Sequence, residues 1–336
     1  MSLKDRIIAN APMRLDHYIE ACLWDESDGY YATKIVFGTS GDFVTAPEIS
    51  QIFGEIVGLW CVSKWHEMGA PEVCTLLELG AGRGVLMRDI LRVAKADPAF
   101  AKAIVPTILE KSAQLRDVQS VTIGQPVHFV EALRDLPCQP TLILANEFFD
   151  ALPIRQFRFE DGGWLEAYVD QNLNKIWRPC ANPPTVMSTK MTASVTIELC
   201  EQAMSIAAQI GRHIKEHKGA ILAIDYGDFE GFGDTLQAVK DHRYSDPLLD
   251  QGEQDLTAHV RFGDIAGASN IDPVFNTQAQ FLNAYGGVER LQSLCTQNPA
   301  LADDLIAGYH RLTAPDQMGE LFKVLILENI SMEKTS

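Results

Sequence analysis

The stretch Leu76-Leu77-Glu78-Leu79-Gly80-Ala81-Gly82-Arg83-Gly84 joins an apolar run, an acid and three glycines at alternate positions. A pattern of helical period follows at once. Residues of these types in this order suit a nucleoside cofactor met at the end of a buried parallel strand. The glycines let the backbone turn sharply and leave room for the ligand. A dinucleotide site needs G-x-G-x-x-G, with backbone N–H groups facing a pyrophosphate. Here the spacing is G-x-G-x-G, and Val85 stands where the third glycine would be. The acid suits a cofactor that carries positive charge. S-adenosylmethionine has a sulfonium and no phosphate, so the pattern favours it over NAD(P). The candidate cofactor residues are therefore Glu78, Gly80, Ala81, Gly82 and Gly84. An NAD(P)-dependent oxidoreductase is the rival of a different class. An ordinary strand-to-helix turn rarely needs glycine so often.

The second chemical signal is Asn146-Glu147-Phe148-Phe149-Asp150-Ala151-Leu152-Pro153. Asn146 and Glu147 leave an apolar run directly, so they are expected to face a crevice. Asp150 lies one helical turn past Glu147 if a short helix starts there. Two carboxylates together suit a guanidinium, a planar fork of five donors. The bland alternative is that Asn146 or Asp150 caps a helix. Glu110, followed by Lys111 and Ser112, ends an earlier apolar run and is expected to accept from ribose hydroxyls. Glu131 is a candidate neighbour of the adenine. Asp225 ends a later run. Gly233 to Val239, His242-Arg243-Tyr244 and Asp255 to Val260 lack periodicity and read as a substrate loop. His242 and His259 there are candidate general bases or ordinary structural histidines.

These residues need a scaffold. Apolar runs at 75–79, 105–109, 127–130, 141–145 and 220–224 read as buried strands, with helical patterns such as 85–94 and 194–214 between them. Strands alternating with helices predict an α/β, doubly wound, Rossmann-like parallel sheet. Runs at 322–327 and 274–275 add a late hairpin. Residues 1–70 are expected to be an N-terminal helical addition to a domain of 71–336. In that addition, Pro47 sits in the first turn of a helix, and Ile49, Ile52, Phe53, Ile56 and Leu59 form a packing stripe. An insertion is expected at about 151–193, with a β-hairpin of 155–159 and 164–169 turning at Asp161-Gly162-Gly163. Its Phe157, Phe159, Trp164 and Tyr168 make it a candidate homodimer or partner surface, or a hairpin folded onto its own core.

Composition narrows the classes. The 336 residues are 46% hydrophobic, which supports a sizeable core. Net charge is −17, against the basic excess that tracking a nucleic-acid backbone requires. The acidity favours a cationic substrate or protein segment. No apolar run reaches the ~18 residues of a membrane span. The seven cysteines form no C-x-x-C pair, so no metal site is expected and reduced thiols are. The opening Met1-Ser2-Leu3-Lys4-Asp5-Arg6 lacks a signal core, which predicts a cytoplasmic protein.

E-L-G-A-G-R-G, the segment Ser40-Gly41-Asp42-Phe43-Val44-Thr45-Ala46-Pro47-Glu48, the segment from Ala145 to Pro153, and Gly233 to Ala238 followed by Asp255 to Val260 together resemble one family. It is the MidA-like family of S-adenosylmethionine-dependent methyltransferases, and the resemblance runs from about Tyr18 to Asn329. It implies a class I methyltransferase fold and symmetric dimethylation of an arginine in the 49-kDa-type subunit of respiratory complex I, hence a role in complex I assembly. Gly80, Gly82 and Gly84 match the family's cofactor loop, and Asn146, Glu147 and Asp150 its strand-four motif. On this reading Glu147 orients the guanidinium, with Asp150 or Asp42 as second acid. Asp225, His259 or water takes the proton. The lack of a leader suggests a bacterial member. A small-molecule methyltransferase and a non-catalytic S-adenosylmethionine-binding assembly factor remain alternatives on the same fold.

Overall fold

The computed structural model describes residues 1–33, 45–180, 183 and 195–330. The chain forms two compact units. One comprises Met1–Phe43, Phe149–Ser205 and Asp228–Gly263; the other comprises Val44–Phe148, Ile206–Gly227 and Asp264–Ser336. The segment 1–70 is thus divided at Val44, and the unit holding the inserted hairpin also takes residues 228–263.

The second unit is built on seven strands: β1 (Cys74–Leu79), β2 (Ile104–Leu109), β3 (His128–Val130), β4 (Thr141–Asn146), β5 (Gly219–Asp228), β6 (Pro273–Thr277) and β7 (Phe322–Asn329). They run in the order β3-β2-β1-β4-β5-β7-β6. The first five are parallel, and β7 lies antiparallel between β5 and β6. Every residue of β1 is buried, as a strand covered on both faces requires. That is why these strands read as continuous apolar runs rather than alternating ones. After β3 the chain returns to the far side of β1, so the order reverses between β1 and β4. Leu79 pairs with Ala145, and Asn146 with Ile224. The carboxyl ends of β1 and β4 are therefore level, with Gly80 and Glu147 just beyond them and Asp225 beside Glu147, inside β5, which runs on to Asp228.

Helix α1 (Gln51–Glu67) packs against α2 (Val85–Ala94). The approach is close: a Cβ on Gly54 would lie 2.6 Å from Asp89 Cβ, and one on Gly58 2.9 Å from Val93 Cβ. Of the expected stripe, Ile52, Phe53 and Ile56 are buried and Leu59 is exposed. Pro47 does sit in the first turn of a helix, but this helix, Ala46–Ile49, is short. Ser50 then breaks it and caps α1 through Ile52 N–H. Helix α3 (Ala113–Ile123) follows β2.

In the first unit, Arg155–Glu160 and Gly163–Val169 form the expected hairpin. Its turn is Asp161-Gly162, with φ of +49° and +81°, the left-handed pair a two-residue turn demands. Phe157 is buried, and Phe159 packs edge-on to Trp164 at 5.4 Å across the strands. Lys175–Pro179, Thr196–Leu199 and Met13–Arg14 complete a five-stranded sheet. Leu15, Tyr18, Ile19 and Leu23 of helix Leu15–Trp24 bury with Ala167 and Val169 in the core of this unit.

Two expectations are corrected here. The helix expected over 194–214 begins at Glu201 and runs to His217, because Thr196–Leu199 pairs with Arg155–Glu160 as a strand. Two β-branched residues, Thr196 and Ile197, fit that pleated surface. The supposed loop of 233–260 carries a three-stranded sheet of Gln237–Lys240, Arg243–Ser245 and Asp255–Thr257. Strands of three and four residues are too short for alternation to show in sequence.

Candidate cofactor and methyl-transfer site

The glycine loop has the backbone its composition predicts. Gly80, Gly82 and Gly84 have φ of +64°, +49° and +84°, a region costly for residues with a Cβ. Gly84 opens α2, and its N–H donates to Ala81 O at 2.7 Å. A Cβ on Gly80 would approach Phe148 Cδ2 to 2.8 Å. Ala81 itself is buried. Glu78, only 3% exposed, accepts the N–H of Met87 in the first turn of α2. Its other oxygen, Oε2, has no partner among the described residues. Burial pushes its carboxyl up to about 8, against the pull of that N–H.

At the end of β2, Glu110 Oε1 accepts Ser112 N–H at 2.8 Å, and Oε2 accepts Gln119 Nε2 at 3.2 Å. Ser112 caps α3 through Leu115 N–H. Gln119 also donates to Gly82 O at 2.9 Å, while its own Oε1 is buried without a partner among the described residues. Sequence reading missed Gln119; its position nine residues past Glu110, on a helix not delimited in advance, gave no local signal. Glu131 is exposed and held by Arg116 at 3.0 Å.

The exit of β4 is pinned by backbone bonds. Glu147 N–H donates to Ile224 O at 2.9 Å, and Glu147 takes a φ of +48°. Its Oε1 accepts Asn146 Nδ2 at 3.0 Å and Ala46 N–H at 3.1 Å. Asn146 Oδ1 is buried and without a partner among the described residues. Asp225, fully buried, accepts Phe148 N–H on Oδ2 at 3.2 Å and Tyr226 N–H on Oδ1 at 3.0 Å. Both its oxygens thus hold backbone. Residues 147–153 form bends and turns, so no helix places Asp150 one turn above Glu147, and neither Asn146 nor Asp150 caps one.

Asp150 and His259 belong to the other unit. Asp150 is 7% exposed, and its carbonyl accepts Ala258 N–H at 3.0 Å. His259 N–H donates to Thr235 Oγ1 at 2.8 Å, and Thr235 is in turn bound to the buried Glu198. Tyr31, absent from the sequence reading, donates to Asp255 Oδ1 at 3.0 Å. Its phenol is pushed up by burial and then by Asp255 and Asp150. His242 occupies an exposed left-handed turn. Asp42 lies outside the described residues.

Among the described residues no cluster of His, Cys, Asp or Glu is arranged to hold a metal, and no helix is long and apolar enough to cross a membrane. Three buried acceptors with unspent capacity, Glu78 Oε2, Asn146 Oδ1 and Gln119 Oε1, belong to residues at or bonded to the glycine loop and the neighbouring end of β4. A ligand rich in donors and carrying positive charge matches them, because buried polar atoms are costly when left unpaired. S-adenosylmethionine has that character.

Comparison with known proteins agrees. Residues 56–277 match a family described as "Putative S-adenosyl-L-methionine-dependent methyltransferase". The chain is 34% identical to the Danio rerio "Protein arginine methyltransferase NDUFAF7, mitochondrial", over 97% of this chain and 86% of that protein. It is 33% identical to the Drosophila melanogaster homologue of the same name, over 97% of this chain and 83% of that one. A Burkholderia thailandensis crystal structure bound to S-adenosyl-homocysteine superposes with a TM-score of 0.82, at 24% identity, over 98% of this chain and 93% of the other. The expected cytoplasmic, bacterial setting is corrected by these relatives, which are named as mitochondrial; the opening residues carry no evidence of compartment. The match over most of the chain, the identity to full-length relatives and the strand order place this chain in the MidA-like family of S-adenosylmethionine-dependent methyltransferases, with a class I fold.

Proposed function

We propose that the protein transfers a methyl group to an arginine side chain of a protein substrate. What supports this is Glu147, a carboxylate at the exit of β4 held in a left-handed backbone by Ile224 O and fixed through Oε1 by two N–H donors. The relatives named as protein arginine methyltransferases point the same way. The finer reading is the one the family resemblance implies: symmetric dimethylation of an arginine in the 49-kDa-type subunit of complex I.

The chemistry supplied by bound S-adenosylmethionine is a methyl on a positively charged sulfur, open to in-line attack by a nitrogen. Glu78, Gly80, Ala81, Gly82, Gly84, Glu110, Ser112 and Asn146 are the residues we assign to holding it. Glu131, exposed and paired to Arg116, is the outermost of the proposed set. Arginine is a weak nucleophile because its pKa exceeds ~12. In this proposal Glu147 draws the guanidinium charge toward the far nitrogens and leaves the near lone pair for the methyl. Aligning the reactants is worth roughly 7–11 kcal/mol of barrier. Asp225 is assigned to holding the β4 exit. Asp150 as second acid and His259 as proton acceptor are proposed on the sequence pattern alone.

The test is to incubate the protein with methyl-labelled S-adenosylmethionine and lysate from cells lacking the gene, and to locate label by mass spectrometry. Label on one arginine, symmetrically dimethylated, is the expected result. Label only on small molecules, or no label with cofactor binding intact, would replace this reading by one of its two alternatives.

A further inference from the structure

Arg83 is the one charged residue of the glycine loop, and its guanidinium side chain is 43% exposed. Among the described residues, its ion-pair partner is Glu48 Oε1, 3.9 Å from Nη1. That is well beyond the ~2.7–2.9 Å of a charge-assisted hydrogen bond. Neither side chain makes a hydrogen bond among the described residues. Among the described residues, five guanidinium donors and a carboxylate's acceptors are therefore unspent. Glu48 is the more covered partner, 16% exposed. Burial raises its carboxyl above the ordinary range while Arg83 opposes the shift.

The fold fixes where this loose pair stands. Ala46 N–H is tied to Glu147 Oε1 at the end of β4. Glu48 follows two residues later, within the short helix Ala46–Ile49. Arg83 stands between Gly82, whose carbonyl is held by Gln119, and Gly84, which opens α2. The pair thus spans from the glycine loop to the segment anchored on β4. Glu78 Oε2 and Asn146 Oδ1, two of the buried atoms without partners among the described residues, belong to these same two strand ends.

We propose that Arg83 and Glu48 together form the receptor for the α-amino-acid end of the cofactor, Arg83 taking the carboxylate and Glu48 the ammonium. A separated pair of opposite charges is the complement of a zwitterion. Contact between the two would be closer if their purpose were each other. This inference rests on the cofactor assignment of the glycine loop and extends it to a specificity: the site distinguishes ligands that carry the amino-acid end from nucleosides that lack it.

The experiment is calorimetric titration of S-adenosylhomocysteine and of 5′-methylthioadenosine, which lacks the amino-acid end, into the wild-type protein, Arg83→Gln and Glu48→Gln. The expected result is tighter binding of S-adenosylhomocysteine by the wild type. Its affinity should fall at least tenfold in Arg83→Gln and by a smaller factor in Glu48→Gln, with 5′-methylthioadenosine unchanged in both. Equal losses for the two ligands, or no loss for either, would overturn the proposal. A wild type that binds neither ligand would overturn the cofactor assignment as well, a separate outcome. Both substituted positions carry partly exposed side chains outside the core, and a thermal melt of each variant checks that the fold is retained.

Discussion

Gln119, on α3, reaches the carbonyl oxygen of Gly82 at 2.9 Å and through the same nitrogen contacts Glu110 at 3.2 Å. One buried amide thereby couples the glycine loop after β1 to the acid after β2. The residues proposed to meet the two halves of a nucleoside are held to each other before any ligand arrives, and fixing them in advance lowers the ordering cost of binding. Gln119→Leu removes the donor and keeps the bulk. The expected outcome is a loss of about 1–3 kcal/mol in stability from the unpaired carbonyl and carboxylate. Affinity for S-adenosylhomocysteine should fall by about tenfold, which is ~1.4 kcal/mol. Denaturant melts and calorimetry measure the two, and unchanged affinity would remove Gln119 from the site.

Gly82 has a φ of +49° on the loop proposed to pass along the cofactor. Gly82→Val places a branched side chain where the ligand must approach and forces a β-branched residue into the left-handed region. The expected outcome is no measurable S-adenosylhomocysteine binding in a protein that still folds, as circular dichroism would report. Gly80→Ala tests the same loop from its other side, where the new methyl meets Phe148 at 2.8 Å. Normal cofactor affinity in Gly82→Val would sink the assignment of the loop.

Glu78 supplies a pH test. Its folded carboxyl is pushed up to about 8 by burial, against roughly 4.3 in an unfolded chain. Between those values the folded state holds a proton that the unfolded state has released, so stability falls as pH rises through this window. At most the effect is roughly 4–5 kcal/mol. Glu78→Gln cannot ionise, and its stability should be flatter from about pH 5 to 8 while the wild type declines. A bound sulfonium favours the ionised form, so S-adenosylmethionine should release a proton on binding near neutral pH and neutral S-adenosylhomocysteine should release fewer. Identical pH profiles for wild type and Glu78→Gln would show that Glu78 is already ionised.

Much of this was legible in sequence, for identifiable reasons. β1, β2, β4 and β5 are covered on both faces, so they announce themselves as apolar runs, and their polar exits mark the site. The helix Val85–Ala94 matches its expected span because one face is strongly apolar. The Asp161-Gly162 turn is local chemistry and needs no tertiary information. What was hidden depends on long-range contacts. Gln119 meets Gly82 across 37 residues, and Ala46 meets Glu147 across 101. The sheet of 237–257 comes from strands too brief to show a period. The supposed helical turn from Glu147 to Asp150 failed because Glu147 adopts a left-handed φ, and no residue type there signals it.

Glu147 decides whether charge or architecture matters at the exit of β4. Its Oε1 caps Ala46 N–H and meets Asn146 Nδ2, so Glu147→Ala removes a carboxylate and a cap together. Glu147→Gln separates them. The amide oxygen still accepts from Ala46, while the negative charge is lost. If the charge polarises the guanidinium, Glu147→Gln should bind S-adenosylhomocysteine within about twofold of wild type yet lose methyl transfer by ~10²-fold or more, the scale set by losing one preorganised electrostatic contact. Glu147→Ala should lose transfer equally and also about 1 kcal/mol of stability through the missing cap. Label transfer to the arginine-bearing substrate, calorimetry and denaturant melts separate the three quantities. Full activity in Glu147→Gln with reduced activity in Glu147→Ala would assign Glu147 to holding the Ala46 segment, and the guanidinium would need another acid.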